Sequence, residues 1–170
     1  MKYFRAQKGF TLVEMVLYVA LCSIILVSLS GFLSFLLESR VRSQAINEVN
    51  QQGFQVMHLI TQTIRNGRSI EVPLTGVTAS TLSLTTPNAL LNPTVFSLSS
   101  TTVMISEGGK PAIPLTNSRI AVTGLSFQNV SSALSIEKSI KISFTVTYVN
   151  RSGRGEYVYS KAFNGSAILR

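Results

Sequence analysis

The sequence predicts an α+β protein in which one long N-terminal helix packs on a C-terminal antiparallel β-sheet domain. Three observations support this fold class. An apolar run reaches Leu37, no proline occurs before Pro73, and short alternating runs rich in Thr, Ser, Val and Ile follow Ser69. The helix should therefore have a transmembrane first half and an amphipathic second half, and the rest of the chain should form strands.

The apolar run contains one charged residue that needs an explanation. From Leu12 to Leu37 only Glu14 is charged, and the run exceeds the roughly 20 apolar residues that a helix needs to cross a bilayer. A carboxylate near hydrocarbon costs roughly 2.5–3.5 kcal/mol on insertion scales. Glu14 either lies at the interface in the first helical turn, where the helix dipole favours it by about 0.3–1 kcal/mol, or meets a cation. Cleavage after Gly9 would create that cation, the free α-amine of Phe10.

A specific motif, KGFTLVE, occupies residues 8–14. It resembles the class III signal of type IV pilins and of the pseudopilins of type II secretion systems. The resemblance implies that residues 1–9 are a leader peptide, which a prepilin peptidase removes after Gly9. It also implies that Phe10 becomes the methylated N-terminus. Glu14 would then attract the Phe10 amine of an adjacent subunit during filament assembly.

Two other interpretations of the N-terminus stay open. A conventional secretory signal also has a basic start and an apolar core, and Ser28-Leu29-Ser30 before Gly31 offers a small-x-small cleavage site. Against it, the apolar pattern continues past that site to Leu37. An uncleaved single-pass anchor is the second alternative.

The basic residues on either side of the run predict its orientation. Lys2, Arg5 and Lys8 precede the run, and only Arg40 and Arg42 closely follow it. Because positive residues favour the cytoplasmic side, the soluble domain should lie outside the cytoplasm. With the resemblance, this predicts a single pass through the inner (cytoplasmic) membrane, and then a pilus or pseudopilus filament.

The periodicity predicts a single helix from about Phe10 to about Asn66. Residues 10–37 would form its transmembrane and assembly half, and residues 38–67 its amphipathic half, which Asn66-Gly67 ends. In the second half, apolar or small residues recur at intervals of three or four residues and so share one face of the helix. They are Ile46, Val49, Gly53, Val56, Met57, Ile60 and Ile64.

Two glycines inside the predicted helix each cost about 0.8–1 kcal/mol relative to alanine. Gly53 should allow close packing against a neighbour. Gly31 stands where many type IV pilins have a helix-breaking proline. The resemblance therefore suggests that the helix loosens near Gly31 when it is packed into a filament.

Residues 68–170 should form a β-rich soluble domain whose antiparallel sheet lies against the apolar stripe of the helix. The return strand of the last hairpin is predicted around Tyr157 to Phe163, with the tail extending it, and either alternate face of that strand could point inward. Gly124 suggests a bulge, and Glu107–Lys110 and Asn150–Gly155 suggest turns. The other predicted strands are Thr81–Thr85, Val95–Leu98, Thr102–Ile105, Ile120–Val130 and Ile140–Tyr148.

The composition offers little for catalysis or metal binding. The chain has one histidine, His58, one cysteine, Cys22, and no aspartate. A single cysteine excludes an intrachain disulfide, and the set cannot supply a zinc site or the usual catalytic triad. We therefore expect no catalytic residue, no metal, no cofactor and no enzymatic activity.

The chain is basic, with 15 Lys and Arg against seven acidic residues, all of them Glu. Its formal charge of +8 falls by three, to +5, if Lys2, Arg5 and Lys8 leave with the leader. The basic residues are scattered and do not form the stripe that binds a phosphate backbone. A solvated surface is the favoured interpretation, and nucleic-acid binding is left open without being indicated.

The function that the resemblance implies is a structural subunit of a type IV pilus or a type II secretion-like pseudopilus. Leu115–Phe127 and the ending Phe163–Arg170 are similar to minor pilins and pseudopilins, which favours a minor subunit. The implied partners are prepilin peptidase, other pilin or pseudopilin subunits, the inner-membrane assembly platform and membrane lipid. The alternative is a membrane-anchored binding module that captures DNA or a secreted substrate without polymerising.

Overall fold

The computed structural model describes residues 9–132, 138–150 and 158–169. Helix α1 spans Leu12–Arg65, within two residues of the predicted bounds at each end, and the predicted α+β class is confirmed. A 3-10 helix spans Ala89–Leu91. In these ranges the strands are β1 Ser69–Val72, β2 Thr78–Ala79, β3 Leu82–Thr85, β4 Thr94–Ser99, β5 Thr102–Glu107, β6 Ile113–Pro114, β7 Ile120–Asn129, β8 Ser139–Tyr148 and β9 Ser160–Ile168.

The chain divides into two compact units, one that ends at Arg40 and one that begins at Val41. Within the first unit, every described residue from Gly9 onward is exposed except Glu14, which is half-buried. By length and composition, α1 is the one helix in the described residues that is long and apolar enough to cross a membrane.

In the second unit the strands form two antiparallel sheets. One has five strands in the order β1-β3-β4-β5-β6, and the other has four in the order β2-β7-β8-β9. The register places Phe127 of β7 opposite Ile142 of β8, and Phe144 of β8 opposite Phe163 of β9. The sequence indicated a sheet against the helix, and the structure shows that the strands are divided between two.

The second half of α1 and the inward faces of both sheets share one hydrophobic core. The helix contributes buried Ala45, Val49, Gly53, Val56, Ile60 and Ile64. These residues follow the predicted stripe, with Ala45 added and with Ile46 and Met57 only half-buried. Burial of each large apolar side chain contributes about 1.5–3 kcal/mol, so this core is the main source of stability for the unit. The strands contribute Leu82, Leu84, Phe96, Val103, Ile105, Val122, Phe127, Ile140, Ile142, Phe144, Val146 and Phe163, among others.

Several glycine predictions are confirmed. The β7–β8 register shifts between Thr123 and Ser126, where Gly124 has a φ of +63°, a left-handed conformation that glycine adopts without strain. A Cβ atom on Gly53 would overlap the ring of Phe163, so close packing of β9 requires glycine there. The helix ends as expected, because the Gly67 N–H donates to the Ile64 carbonyl at 3.0 Å.

The structure of β9 shows which of its two alternate faces points into the core. Phe163 and Ala167 are buried and the strand reaches Ile168, so the tail extends it as predicted. It begins at Ser160, later than the sequence suggested. Tyr157 and most of the predicted turn, residues 151–155, lie outside the described residues.

Candidate processing and assembly site

The residues predicted for processing and assembly lie at the N-terminal end of α1. The helix begins at Leu12, so Thr11 occupies the N-cap position. The Thr11 hydroxyl accepts a hydrogen bond from the Glu14 N–H at 3.3 Å, and its carbonyl accepts one from the Met15 N–H at 3.2 Å. Threonine is a favoured cap because its oxygen satisfies an N–H that has no partner inside the helix.

Gly9 and Phe10 precede the first helical turn. Both are exposed, Phe10 by 70 %, and a Cβ atom on Gly9 would meet nothing within 4 Å. The peptide bond between them is therefore accessible from outside the chain, as a proteolytic site must be.

Glu14 is the third residue of α1, and two observations describe its surroundings. The Tyr18 hydroxyl donates a hydrogen bond to Glu14 Oε1 at 3.3 Å. The rings of Phe10 and Tyr18 meet edge-on, with 6.3 Å between centroids and 77° between planes. Residues four apart lie on one side of a helix, so the carboxylate and the two rings lie close together.

This arrangement can bind a cation. An ionised carboxylate only accepts hydrogen bonds, and its two oxygens offer about four acceptor positions. Tyr18 occupies one of them, which leaves room for an amine. A carboxylate in the first turn is also favoured by the helix dipole.

Sequence reasoning identified Gly9, Phe10 and Glu14 but missed Thr11 and Tyr18. A signal for each was present. Thr11 and Glu14 have the Thr-x-x-Glu spacing of a capping box, and Tyr18 follows Glu14 by four residues, the spacing at which helical side chains meet.

At Gly31 the helix continues without interruption. A Cβ atom there would meet nothing within 4 Å. Nearby, the Ser28 and Ser34 hydroxyls donate to the carbonyls of Ile24 and Ser30 at 2.9 and 3.1 Å, an arrangement that often bends helices. Loosening at Gly31 concerns the packed filament and stays a prediction.

Within the described residues, no group of three or more His, Cys, Asp or Glu side chains could hold a metal ion. Cys22 lies exposed in the first unit, and His58 lies exposed on the second half of α1. Neither contributes to the site at the N-terminal end of the helix.

Comparison with known proteins gives one match. Residues 4–30 match the family model of the prokaryotic N-terminal methylation motif, a segment that includes Gly9, Phe10 and Glu14. No curated protein and no solved structure shows significant similarity to the chain. The matched motif implies processing by prepilin peptidase and assembly with other pilins. The chain therefore carries the class III prepilin signal of the type IV pilin and pseudopilin family.

Proposed function

We propose that this protein is a non-enzymatic structural subunit, and a minor one, of a type IV pilus or a type II secretion-like pseudopilus. It is inserted once in the inner membrane, cut after Gly9, methylated at Phe10 and assembled through α1. The observation that carries the proposal is the prepilin signal itself, which leads into a helix whose apolar surface its own chain leaves exposed.

The exposed surface is extensive. The large apolar side chains of α1 between Leu12 and Leu37 range from 39 to 80 % exposed. Moving such a side chain from an apolar environment into water costs about 1.5–3 kcal/mol, so this surface needs a cover. Lipid covers it before assembly, and the helices of neighbouring subunits replace the lipid in the filament.

Assembly places the Glu14 carboxylate of one subunit against the Phe10 amine of another. Pairing offsets the desolvation of both charges, and removing one partner leaves the other buried and unpaired, at a cost of about 3–5 kcal/mol. The amine exists only after cleavage. Processing would therefore act as the step that permits assembly.

The assignment to a minor subunit rests on the similarity of Leu115–Phe127 and of the chain's ending to minor pilins and pseudopilins. The first segment ends in β7 and the second includes most of β9. A purified filament in which this chain outnumbers every other subunit would contradict the minor role.

The test is the Glu14→Ala variant, with Glu38→Ala as a matched control. Glu38 is an exposed carboxylate on the same helix, just past the apolar run. Both variants should be processed normally, and only Glu14→Ala should lower incorporation, by more than about tenfold. Quantitative immunoblots of sheared filaments and of membranes give both readouts.

Unchanged incorporation of Glu14→Ala would contradict the assembly role. A fully processed wild-type chain that never enters a filament would instead favour a membrane-anchored binding module. For that module, steeply salt-dependent DNA binding would indicate nucleic acid as the captured ligand.

A further inference from the structure

We propose that Tyr18 is a positioning residue for assembly, which acts through Glu14. Its hydroxyl orients the Glu14 carboxylate, and its ring holds Phe10 on the same side of the chain. This inference rests on the proposed function, because it concerns how the same carboxylate is presented to the amine of a neighbouring subunit.

The environment of Glu14 supports this role. From Gly9 to Arg40 it is the single described residue that is half-buried, and all the others are exposed. Within the described parts of the chain, no side chain other than Tyr18 donates a hydrogen bond to its carboxylate. The one charge in the apolar run is thus also the residue that its own chain partly covers.

Electrostatics supports the same role. In a medium of low dielectric constant, a carboxylate without a donor is costly, and each hydrogen bond to it is strengthened. The Tyr18 hydroxyl, bonded to Oε1, supplies such a donor while the subunit is still in the membrane. It restricts rotation of the carboxylate and leaves Oε2 available for the incoming amine.

The aromatic contact of Tyr18 also supports this role. The edge-on contact between the Phe10 and Tyr18 rings is a favoured geometry for aromatic pairs. It connects the residue that becomes the N-terminus to the residue that contacts Glu14. Loss of the Tyr18 ring would therefore release Phe10 and Glu14 of the same chain, each of which pairs with a different neighbouring subunit in the proposed filament.

A simpler role for Tyr18 must be separated from this one. Tyrosine and tryptophan are both enriched where a helix meets the membrane interface. If Tyr18 served only to anchor the helix at the interface, the Tyr18→Trp variant would be incorporated into filaments as well as the wild type. If Tyr18 positions Glu14, the tryptophan variant would be incorporated less well, because the indole N–H lies at a different place on a larger ring than the tyrosine hydroxyl.

The experiment compares Tyr18→Phe, Tyr18→Trp and the matched control Ser23→Ala in the full-length chain. The Ser23 hydroxyl lies on the same half of the helix and donates to the Val19 carbonyl at 2.8 Å, without contact to Glu14. All three variants should be processed normally. Both Tyr18 variants should lower incorporation about threefold to tenfold, the range expected for one hydrogen bond, and Ser23→Ala should not.

A spectroscopic measurement distinguishes positioning from a general effect on the helix. The ¹³C signal of the Glu14 carboxyl group, in the mature protein in lipid vesicles, is identified by its loss in Glu14→Gln. Tyr18→Phe should shift this signal, and Ser23→Ala should leave it unchanged.

An unshifted signal in Tyr18→Phe would overturn the proposal. Normal incorporation of either Tyr18→Phe or Tyr18→Trp into filaments would overturn it as well. These failures differ from failure of the proposed function. If Glu14→Ala lowers incorporation and Tyr18→Phe does not, only the positioning role is wrong. If Glu14→Ala has no effect, the assembly role of the carboxylate is wrong.

Discussion

The two halves of α1 differ in what covers their apolar side chains. Before Arg40 the large apolar residues are exposed, whereas Val49, Val56, Ile60 and Ile64 in the second half are at most 1 % exposed. The two β-sheets cover the second half. The first half has no such cover within the described chain, and under the proposed function lipid and neighbouring subunits cover it.

This difference separates two kinds of substitution. Changes at the N-terminal end of α1 should alter processing or assembly and leave the fold of the second unit, from Val41 onward and here called the β-sheet unit, intact. Changes in the core should lower the stability of that unit and leave processing intact. Paired variants in the two parts of the molecule test this separation.

Gly9→Val should abolish processing, because a branched side chain at the cleavage position hinders entry of the backbone into the peptidase. The matched control is Gly31→Val, which adds the same group where nothing lies within 4 Å. Both chains should fold their β-sheet unit. Intact mass of the membrane-bound protein measures cleavage, and normal maturation of Gly9→Val would remove Gly9 as the cleavage residue.

Phe127→Ala should lower the free energy of unfolding of the β-sheet unit by about 3–5 kcal/mol, because it leaves a cavity in the core. Phe127 is 0 % exposed, whereas the control residue Phe32 is 63 % exposed. Phe32→Ala should leave that free energy unchanged. Guanidinium unfolding of the full chain in detergent, followed by circular dichroism, gives both values. Equal losses in the two variants would contradict the separation.

Gly53→Ala should destabilise the β-sheet unit by about 1–3 kcal/mol through overpacking. The new methyl group would overlap the Phe163 ring. That ring cannot easily move away, because it stacks on the Phe144 ring with 5.4 Å between the ring centroids. Gly31→Ala is the control and should not destabilise the unit, since alanine favours helix. The same unfolding measurement applies, and a stabilised Gly53→Ala variant would show that the ring moves at little cost.

Glu71 should give the smallest effect, a change in the pH dependence of stability. Hydrogen bonds from Thr85 at 2.7 Å and Ser83 at 2.9 Å hold the pKa of Glu71 below its ordinary value, against a smaller opposing effect of desolvation. A carboxyl pKa that is lower in the folded state adds stability above the unfolded value, about 4.3. That stability is lost as the pH falls through the folded pKa.

The unfolding midpoint of the wild-type protein should therefore fall more steeply below about pH 4.3 than that of Glu71→Gln. Thr85→Val, which removes the first of the two donors, should reduce the steepness as well. Parallel pH profiles of the wild type and Glu71→Gln would show that these hydrogen bonds do not favour the ionised carboxylate.

Much of the fold follows from local patterns. The absence of proline before Pro73 predicted a long helix. The recurrence of apolar residues every three or four positions from Val49 to Ile64 predicted its buried face. Alternation predicted β8, whose inward residues from Ile140 to Val146 are buried. In each case the side-chain period is a direct consequence of backbone geometry.

The division into two sheets could not be predicted, because it depends on which distant strands pair. Strands β2 and β6 have two residues each, too few for a period. The burial of Asn129 is also non-local. Its side-chain amide donates to the Pro73 carbonyl at 2.8 Å, a contact between residues 56 positions apart.

The sequence alone named three residues of the candidate site, and their roles stay predictions. Glu14 stands out because a charge in an apolar run is costly, and Gly9 and Phe10 belong to a motif. Tyr18 carries only a weak signal, its position four residues after Glu14, because an aromatic residue in an apolar run is ordinary. The role proposed for Tyr18 depends on the hydrogen bond from its hydroxyl to the Glu14 carboxylate, which only the structure shows.

The most direct test of the account is the intact mass of the mature membrane protein together with its N-terminal sequence. The mature chain should begin at Phe10 and carry one added methyl group. A mature chain that begins at Met1 or at Gly31 would have no amine at Phe10 for Glu14 to meet, and would contradict the account.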